Sequence, residues 1–350
     1  MTRNILLPFC TLLLLAGCQA PSTPPPKSEK LSSDKVARIA ATIEHKYPTL
    51  SADIRSTLLN TVVSSLDNMV FVEGGEFQMG DFGWVFDDDP SNMCEWPCGV
   101  EPERMGRISM HGDDDFVHPV KLSSYYLSKF QTTLADFDLF FIAQGKPLFD
   151  AEYRERADLK FKFYAPNLPA PTKNWQEAKD FCDWLGEISE YPVGLPTEAQ
   201  WEYAARSRGQ YLAFPTDNGS LNYGRNFPAP AAGDNFPIDK FPPNPLGLYG
   251  MSGNGTNWVS DWYDKDYYRH SPLENPQGPK TGTQRIRRGA TVSEDPLLGA
   301  STVRRWSIDP EHSQHLPNSG FRCAIQSDQS LQSQKIKRAP LKRPCYLSFI

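Results

Sequence analysis

The segment "GLPTEAQWEYAAR", residues 194–206, predicts a helix with a well-defined start. Pro196 ends the preceding segment, because proline has no backbone N–H to continue a hydrogen-bonded element. Thr197 supplies the hydroxyl of an N-cap, and Gln200 occupies the third helical position. This is the sequence form of a capping box, in which each of the two side chains accepts from the backbone N–H of the other residue.

The segment "NWQEAKDFCDWLGEI", residues 174–188, predicts a second capped helix. Asn174 is a favourable N-cap, and Glu177 follows three residues later. The apolar positions recur at helical spacing and share one face, which indicates a helix half buried in a core. These positions are Trp175, Ala178, Phe181, Cys182 and Leu185.

Residues 32–68 predict a pair of helices at the start of the folded chain. Pro48 interrupts the helical pattern, and Ser51 can cap a second helix. We expect this pair to pack on the main domain rather than on a partner. The apolar residues at helical spacing are Val36, Ile39, Ala40, Ile43, Ile54, Leu58, Leu59, Val62, Val63 and Leu66.

The stretch "MVFVEGGEFQMGD", residues 69–81, alternates apolar and polar side chains around a Gly-Gly pair, which predicts a β-hairpin. Residues 82–117 then form an acidic insertion with two Asp triplets. Neither triplet has the ligand spacing of an EF-hand loop, so we expect a solvated loop. Loops and short strands are expected from Gly209 to Cys323.

The composition indicates a globular chain with many turns. The 350 residues are 39% hydrophobic and include 31 prolines and 24 glycines. This length suits one large domain with extensions or two small domains. The net charge is -6, and no stripe of arginine and lysine is present, so a nucleic-acid partner is not expected.

The first residues, "MTRNILLPFCTLLLLAGC", have the basic start, apolar run and small residues of a lipoprotein signal peptide. Residues 1–18 are therefore expected to direct lipidation of Cys18. The Pro/Ser-rich residues 19–31 would be a tether, and residues 327–350 a basic tail. Gln19 after the cysteine favours the outer membrane, with the body facing the periplasm and lipid as the membrane anchor.

Five cysteines remain once Cys10 leaves with the signal and Cys18 is lipidated. An oxidising periplasm permits disulfides, and an odd number leaves one thiol over. In "CEWPC" the spacing of Cys94 and Cys98 indicates a local disulfide rather than a metal knuckle. The pairing of Cys182, Cys323 and Cys345 stays open.

Six motifs, in order, resemble those of the formylglycine-generating enzyme family, also called the sulfatase-modifying-factor domain. The resemblance implies a mixed α/β fold with little regular secondary structure, distantly like C-type lectins, over residues 69–326 and preceded by the short helical region. The motifs are "FVEGGEFQMG", "HPVKLSSYYLSKFQTTLADFDLFF", "NWQEAKDFCDWL", "GLPTEAQWEYAAR", "FPPNPLGLYGMSGNGTNWVSDWY" and "NSGFRC".

One departure from the family concerns its copper site. Active members bind copper(I) through two cysteines and use dioxygen to convert a substrate cysteine to formylglycine. In "RRGATVSEDPLLGASTVRR", residues 287–305, these positions are Glu294 and Gly299. Copper(I) is soft and selects thiolate ligands. We therefore expect no copper, no catalytic residues of the oxidase type and no formylglycine-generating activity.

The resemblance also implies calcium. The family's first site corresponds to Asn226, the Phe227 carbonyl, Asp234 and Phe236, which are the hard oxygen donors that calcium prefers. A second, weaker site corresponds to Asn254 and Asn257, where Asn257 replaces a glutamate. An amide cannot supply the carboxylate charge, so this second site is expected to bind calcium poorly.

Five residues align with positions that line the family's peptide-binding cleft. They are Trp258, Thr291, Arg304, Arg305 and Asn318. Tryptophan and arginine are common binding anchors. The alternative is a structural role for these side chains beneath the loops.

These observations predict a periplasmic lipoprotein whose catalytically inactive domain binds a protein or peptide partner. By analogy with some relatives, an accessory, regulatory or effector-neutralising role beside type VI secretion machinery is expected. Two alternatives stay open. One is an enzyme with a changed metal or oxidative chemistry, and the other is a carbohydrate- or envelope-binding module.

Overall fold

The computed structural model describes residues 26–85, 89–154, 156, 164–229, 235–290, 301–311 and 319–331. Within these ranges the helices are α1 Ser33–Lys46, α2 Ala52–Asp67, α3 Leu134–Ala143, α4 Ala151–Arg154, α5 Trp175–Ser189 and α6 Glu198–Ala205. The strands are β1 Met69–Val72, β2 Gly75–Met79, β3 His118–Leu122, β4 Tyr125–Ser128, β5 Val193–Gly194, β6 Thr256–Trp262, β7 Arg285–Arg288, β8 Arg305–Ile308, β9 Ser319–Phe321 and β10 Ala324–Ile325. The predicted mixed α/β fold of short elements is confirmed.

The strands form three small sheets. One has the order β1-β4-β10-β5 and is antiparallel throughout, and β2 pairs with β3 in a second sheet. The third has the order β8-β7-β6-β9, in which β9 runs parallel to β6. Helices α5 and α6 bury apolar faces against these sheets, and no helix in the described ranges is long and apolar enough to cross a bilayer.

The hairpin predicted for residues 69–81 is wrong. β1 and β2 do not pair with each other, because β1 pairs with β4 and β2 with β3, in different sheets. The chain passes between the sheets at Gly74, where an added Cβ would lie 2.2 Å from the Leu122 carbonyl oxygen. The alternating pattern does form strands. The Gly-Gly pair, however, lets the backbone pass close to Leu122 instead of turning back on itself.

Both predicted capped helices are confirmed. The Thr197 hydroxyl accepts from Gln200 N at 3.1 Å, and Gln200 Oε1 accepts from Thr197 N at 2.9 Å. Asn174 Oδ1 likewise accepts from Glu177 N at 2.9 Å and begins α5. The apolar face of α5 is buried, and its Cys182 forms a disulfide with Cys323 in the loop between β9 and β10.

The N-terminal helical pair packs on the main domain, as expected. Trp184 Nε1 of α5 donates to the Tyr47 hydroxyl at 2.8 Å, and Lys35 pairs with Glu190 at 3.1 Å. The last residues of the predicted tether also contact this body, because Leu31 is buried and Ser28 donates to Asp67. Residues 1–25, including Cys18, and residues 332–350 lie outside the described ranges.

The acidic insertion is anchored rather than freely solvated. Asp81, at its base, accepts from the backbone N–H groups of Gly83, Ile108 and Ser109 at 2.9–3.0 Å. Asp114 of the second triplet is fully buried, and burial raises its pKa to about 7. The expectation of a solvated loop therefore fails for Asp114, since the loop folds back over its own base.

A network of buried charges joins α6 to the third sheet. Arg288 donates to Glu198 at 2.9 Å and to Glu202 at 2.7 Å, and Arg305 donates to both oxygens of Glu198 at 3.0 and 3.1 Å. Arg206 donates to Glu202 at 2.9 Å. All five side chains are almost completely inaccessible to solvent. Burial alone would disfavour the charged guanidinium of Arg305, yet Glu198 keeps its pKa raised.

We expect Glu202→Gln to lower the free energy of unfolding by about 3–5 kcal/mol, because removing one partner leaves a buried charge uncompensated. Urea unfolding followed by circular dichroism measures this loss. The control is Glu187→Gln, whose carboxylate is 63% exposed and pairs with Lys46. The control should change stability by less than about 1 kcal/mol. Equal effects of the two variants would contradict a special role for the network.

Candidate functional site

Two of the predicted cleft residues are interior. Trp258 is 3% exposed, and its indole N–H donates to the Thr172 hydroxyl at 2.9 Å. Arg305 is fully buried and bound to Glu198. These side chains support the loops from below, so the described part of the chain favours the structural alternative for Trp258 and Arg305.

Arg304 is also buried, with 8% of its surface exposed. Its guanidinium is 4.4 Å from the Trp306 ring centroid and 3.5 Å from the Asp113 carboxylate, so it fixes the acidic insertion to β8. The remaining predicted cleft residues, Thr291 and Asn318, lie outside the described residues. Glu294 and Gly299, at the copper positions, also lie outside them.

The acidic insertion and the segment after α6 enclose a pocket of about 560 Å³. Ligand pockets typically have volumes of roughly 300–1,000 Å³. We call it the aromatic pocket, because tryptophan, tyrosine and phenylalanine rings dominate its wall. Its aromatic and polar lining residues are Phe82, Trp84, Trp96, Tyr211, Glu95, Gln210 and Asn218.

The rings of the aromatic pocket form a layered stack above the ionic network. Trp96 stacks on Tyr211 with ring centroids 3.9 Å apart and planes inclined by 21°. Phe82 meets Tyr211 edge-on at 5.2 Å. The buried Arg206 guanidinium lies 4.4 Å from the Phe82 ring centroid. The pocket wall is thereby tied to the charges that hold α6 in place.

The rim of the pocket is polar and contains a disulfide. Cys94 is bonded to Cys98, and this small ring encloses Glu95 and Trp96. The Trp96 indole N–H is buried and has no hydrogen-bond partner among the described residues. No lysine or arginine is among the pocket's described lining residues. An anionic ligand would therefore find no cation there.

Two residues of the predicted first calcium set, Asn226 and Phe227, lie at one small cavity. Asn226 and Phe227 line a cavity of about 20 Å³ together with Asn254. A cavity of this size can hold one water or ion. Asn226 Oδ1 accepts from Asn222 N at 2.8 Å, and the Phe236 carbonyl accepts from Asn254 Nδ2 at 2.8 Å. These are hard oxygen donors of the kind that calcium prefers. Each of the three described oxygens already accepts a hydrogen bond from an N–H group, so a calcium ion would have to replace these hydrogen bonds.

Asp234, the carboxylate of that first set, lies outside the described residues. Elsewhere in the described part of the chain, no group of three histidine, cysteine, aspartate or glutamate side chains is arranged to hold a metal ion.

The second predicted calcium set does not fit a cation. Asn257 Oδ1 accepts from Arg322 Nε at 3.0 Å, and both ends of the Asn254 amide bind the backbone of Phe236. Arg322 is completely buried, and burial lowers its pKa to about 9. Its contacts are neutral oxygens, including the Ser128 and Tyr249 carbonyls. The Arg322 guanidinium therefore already donates to Asn257 Oδ1, the oxygen that calcium would need.

Sequence reasoning missed the aromatic pocket. Trp96 lies within "CEWPC", where the cysteine spacing predicts only a local disulfide, and Tyr211 lies in the region from Gly209 for which the sequence predicts only loops and short strands. One signal was available, because Phe82, Trp84 and Trp96 occur in a segment assigned to solvent on its charge. Aromatic residues at that density are typical of a binding surface.

Solved structures with the same fold support this architecture. PvdO from Pseudomonas aeruginosa superposes with a TM-score of 0.54 at 22% identity, covering 73% of this chain and 93% of that chain. Treponema denticola variable protein 1 superposes with a TM-score of 0.52 at 19% identity, covering 74% and 95%. At these identities the likeness shows the fold alone.

Sequence similarity places the chain in a family. The profile of the sulfatase-modifying factor enzyme 1-like domain matches residues 55–327. The formylglycine-generating enzyme of Streptomyces coelicolor is 30% identical over an alignment of 305 positions, which covers 75% of this chain and 91% of that protein. The chain therefore belongs to the sulfatase-modifying factor family, as its six motifs predict.

Other relatives match over a smaller share of their length. The bovine formylglycine-generating enzyme is 33% identical over 46% of this chain and 45% of its own length. This chain thus spans about half the length of that relative. A mouse relative named inactive C-alpha-formylglycine-generating enzyme 2 is 30% identical over 45% of this chain and 49% of its own.

We expect Asn257→Asp to raise the melting temperature measured in the presence of a chelator, because a carboxylate would neutralise the buried Arg322 guanidinium. A hydrogen bond to a charged group contributes about 1.5–3 kcal/mol. Asn254→Asp is the matched control. It should lower stability, since it removes the amide that donates to Phe236. No gain in the first variant would show that the neutral oxygens already satisfy Arg322.

Proposed function

We propose that this chain is a non-oxidase member of its family that binds a protein or peptide partner in the cell envelope. On this proposal, the domain keeps the family scaffold and uses it for recognition rather than turnover. The wall of the aromatic pocket is the main contact surface.

The observation that carries the proposal is the aromatic pocket itself. Tyr211 is 37% exposed, stacks on Trp96, and lines the pocket together with Glu95 and Asn218. Partly exposed tryptophan and tyrosine with polar neighbours are the residues that dominate binding energy at interfaces. A wall fixed from below by Arg206 needs little reorganisation on binding, which favours affinity.

The sequence at the copper positions supports the absence of oxidase chemistry. Glu294 and Gly299 stand where the oxidases of the family carry cysteines, and neither side chain offers the thiolate that copper(I) selects. One relative is named as inactive, which is compatible with a family in which some members keep the fold without the enzymatic activity.

The proposal extends to where the protein is located and to its role in the cell. The signal sequence supports lipidation at Cys18 and attachment to the outer membrane, with the domain in the periplasm. The accessory or effector-neutralising role beside type VI secretion machinery rests on the family resemblance alone. An envelope glycan in place of a protein partner would be one outcome of the binding experiment.

We expect Trp96→Ala and Tyr211→Ala each to reduce partner binding about tenfold or more, because each removes an aromatic anchor. Periplasmic proteins are cross-linked to the purified full chain, identified by mass spectrometry, and the leading partner is titrated by calorimetry. Phe71→Ala is the matched control, since Phe71 is 45% exposed and is not among the described lining residues of the pocket. Equal losses in all three variants, or none, would contradict the pocket as the contact surface.

We also propose one calcium ion held by Asn226, the Phe227 and Phe236 carbonyls and Asp234. Elemental analysis of the purified protein should find about one calcium and no stoichiometric copper or iron. Calcium should raise the melting temperature, and Asp234→Ala should remove this rise. Asp183→Ala, which removes an exposed carboxylate paired with Lys179 on α5, should keep it. Stoichiometric copper, or formylglycine formed in a cysteine peptide, would overturn the non-oxidase proposal.

A further inference from the structure

The Cys94–Cys98 disulfide is placed where it controls the aromatic pocket. Both cysteines line the pocket, and the ring that they close contains Trp96, whose indole forms the outer layer of the stack. Trp96 is thus positioned both by the closed ring and by packing against the apolar cluster that includes Phe82 and Phe214. Tyr211 belongs to a different part of the chain and stays in place without the ring.

Between Cys98 and Met105 the described backbone hydrogen bonds of this segment stay within the segment. On the N-terminal side, Met93 N donates to the Ser220 hydroxyl at 2.9 Å. The backbone hydrogen bonds that the structure describes for residues 95–105 are local, such as Cys98 N to the Glu95 carbonyl at 2.7 Å and Val100 N to the Pro97 carbonyl at 3.0 Å. The next link to the body is the pair formed by Gly106 and Trp84. The disulfide is thus the covalent restraint on the segment that carries Trp96.

The two disulfides of the described chain differ in accessibility. Cys94 is exposed and Cys98 is half buried. Cys182 and Cys323 are 0% and 1% exposed, beneath the aromatic core around Phe181 and Trp184. Thiol–disulfide exchange needs a thiolate to reach a sulfur atom. A reductant can therefore reach the rim disulfide while the core disulfide stays closed.

We propose that the Cys94–Cys98 disulfide is a redox-modifiable site at which a dithiol reductant opens the aromatic pocket. A thiolate of the dithiol attacks Cys94 Sγ, the Cys94–Cys98 bond breaks, and Cys98 leaves as a thiolate and takes up a proton. The second thiol of the reductant then attacks the mixed disulfide and releases Cys94 as a thiol. Two electrons and two protons reach this chain, and the dithiol becomes a disulfide.

The structural consequence is a change in the wall of the pocket. Once the ring opens, Trp96 is held by a segment with local hydrogen bonds, and its stack on Tyr211 loses its covalent restraint. The consequence for binding rests on the proposed function, whereas the reduction and the movement of Trp96 do not. The oxidised protein is the binding form, and the reduced protein has a disordered outer wall.

The test begins with the purified full chain in increasing concentrations of dithiothreitol. Free thiols are alkylated, and each cysteine peptide is identified by mass spectrometry. We expect Cys94 and Cys98 to be alkylated at a reductant concentration about tenfold or more below that needed for Cys182 and Cys323. Equal or reversed susceptibility would overturn the proposal.

The movement of Trp96 is measured by near-ultraviolet circular dichroism and tryptophan fluorescence at the concentration that opens only the rim disulfide. A spectral change is expected in the wild type and in Trp306→Phe, and it should be absent in Trp96→Phe. The double variant Cys94→Ser/Cys98→Ser should show the reduced spectrum without reductant. Reduction without a Trp96 signal would overturn control of the pocket by the disulfide.

The partner identified above is then titrated into the oxidised and the selectively reduced protein. We expect affinity to fall about tenfold on reduction, because the aromatic anchor is lost. Unchanged affinity would overturn the link between the disulfide and binding. If the Trp96 signal changes and neither form binds any partner, the proposed function fails and the redox site stands.

Discussion

Two carboxylates on one short helix, Glu198 and Glu202, compensate arginines that come from α6 itself, β7 and β8. Buried charges are costly to desolvate, and the cost is recovered only when every partner is in place. A small displacement of any one element would leave a charge uncompensated. This requirement fixes the relative positions of elements that are too short to position one another by apolar packing alone.

The aromatic pocket is built directly on this network. Arg206 binds Glu202 on one side and meets Phe82 and Tyr211 on the other. The inner wall of the pocket is therefore held in place by the same buried side chains as the core. The outer wall, which carries Trp96, is attached through a disulfide loop. The same surface thus combines a floor held by buried ion pairs with a rim held by a disulfide and by the packing of Trp96.

Family membership and the proposed loss of the family's oxidase chemistry rest on different residues of this chain. The capped helices, the buried arginines and the Cys182–Cys323 bond belong to the scaffold, and the chain is a family member on sequence and fold. At the second calcium site that the family resemblance implies, the sequence differs from the family pattern. Arg322 is buried beside Asn257 with neutral oxygens for partners, where a glutamate would have supplied charge. A scaffold of this kind can be retained while its reaction is lost, because fold and function are specified by different residues.

The sequence by itself determined the local features of this protein. Capping residues such as Thr197 and Asn174 bind groups three residues away, so their helices could be predicted before any tertiary contact was known. The tertiary structure decided the partners of β1 and β2, because alternation identifies a strand but not the chain that pairs with it. It also decided that Arg305 and Trp258 are interior and that Trp96 meets Tyr211. These outcomes depend on contacts between distant parts of the chain, and no local pattern of side chains specifies which distant residue will supply the contact.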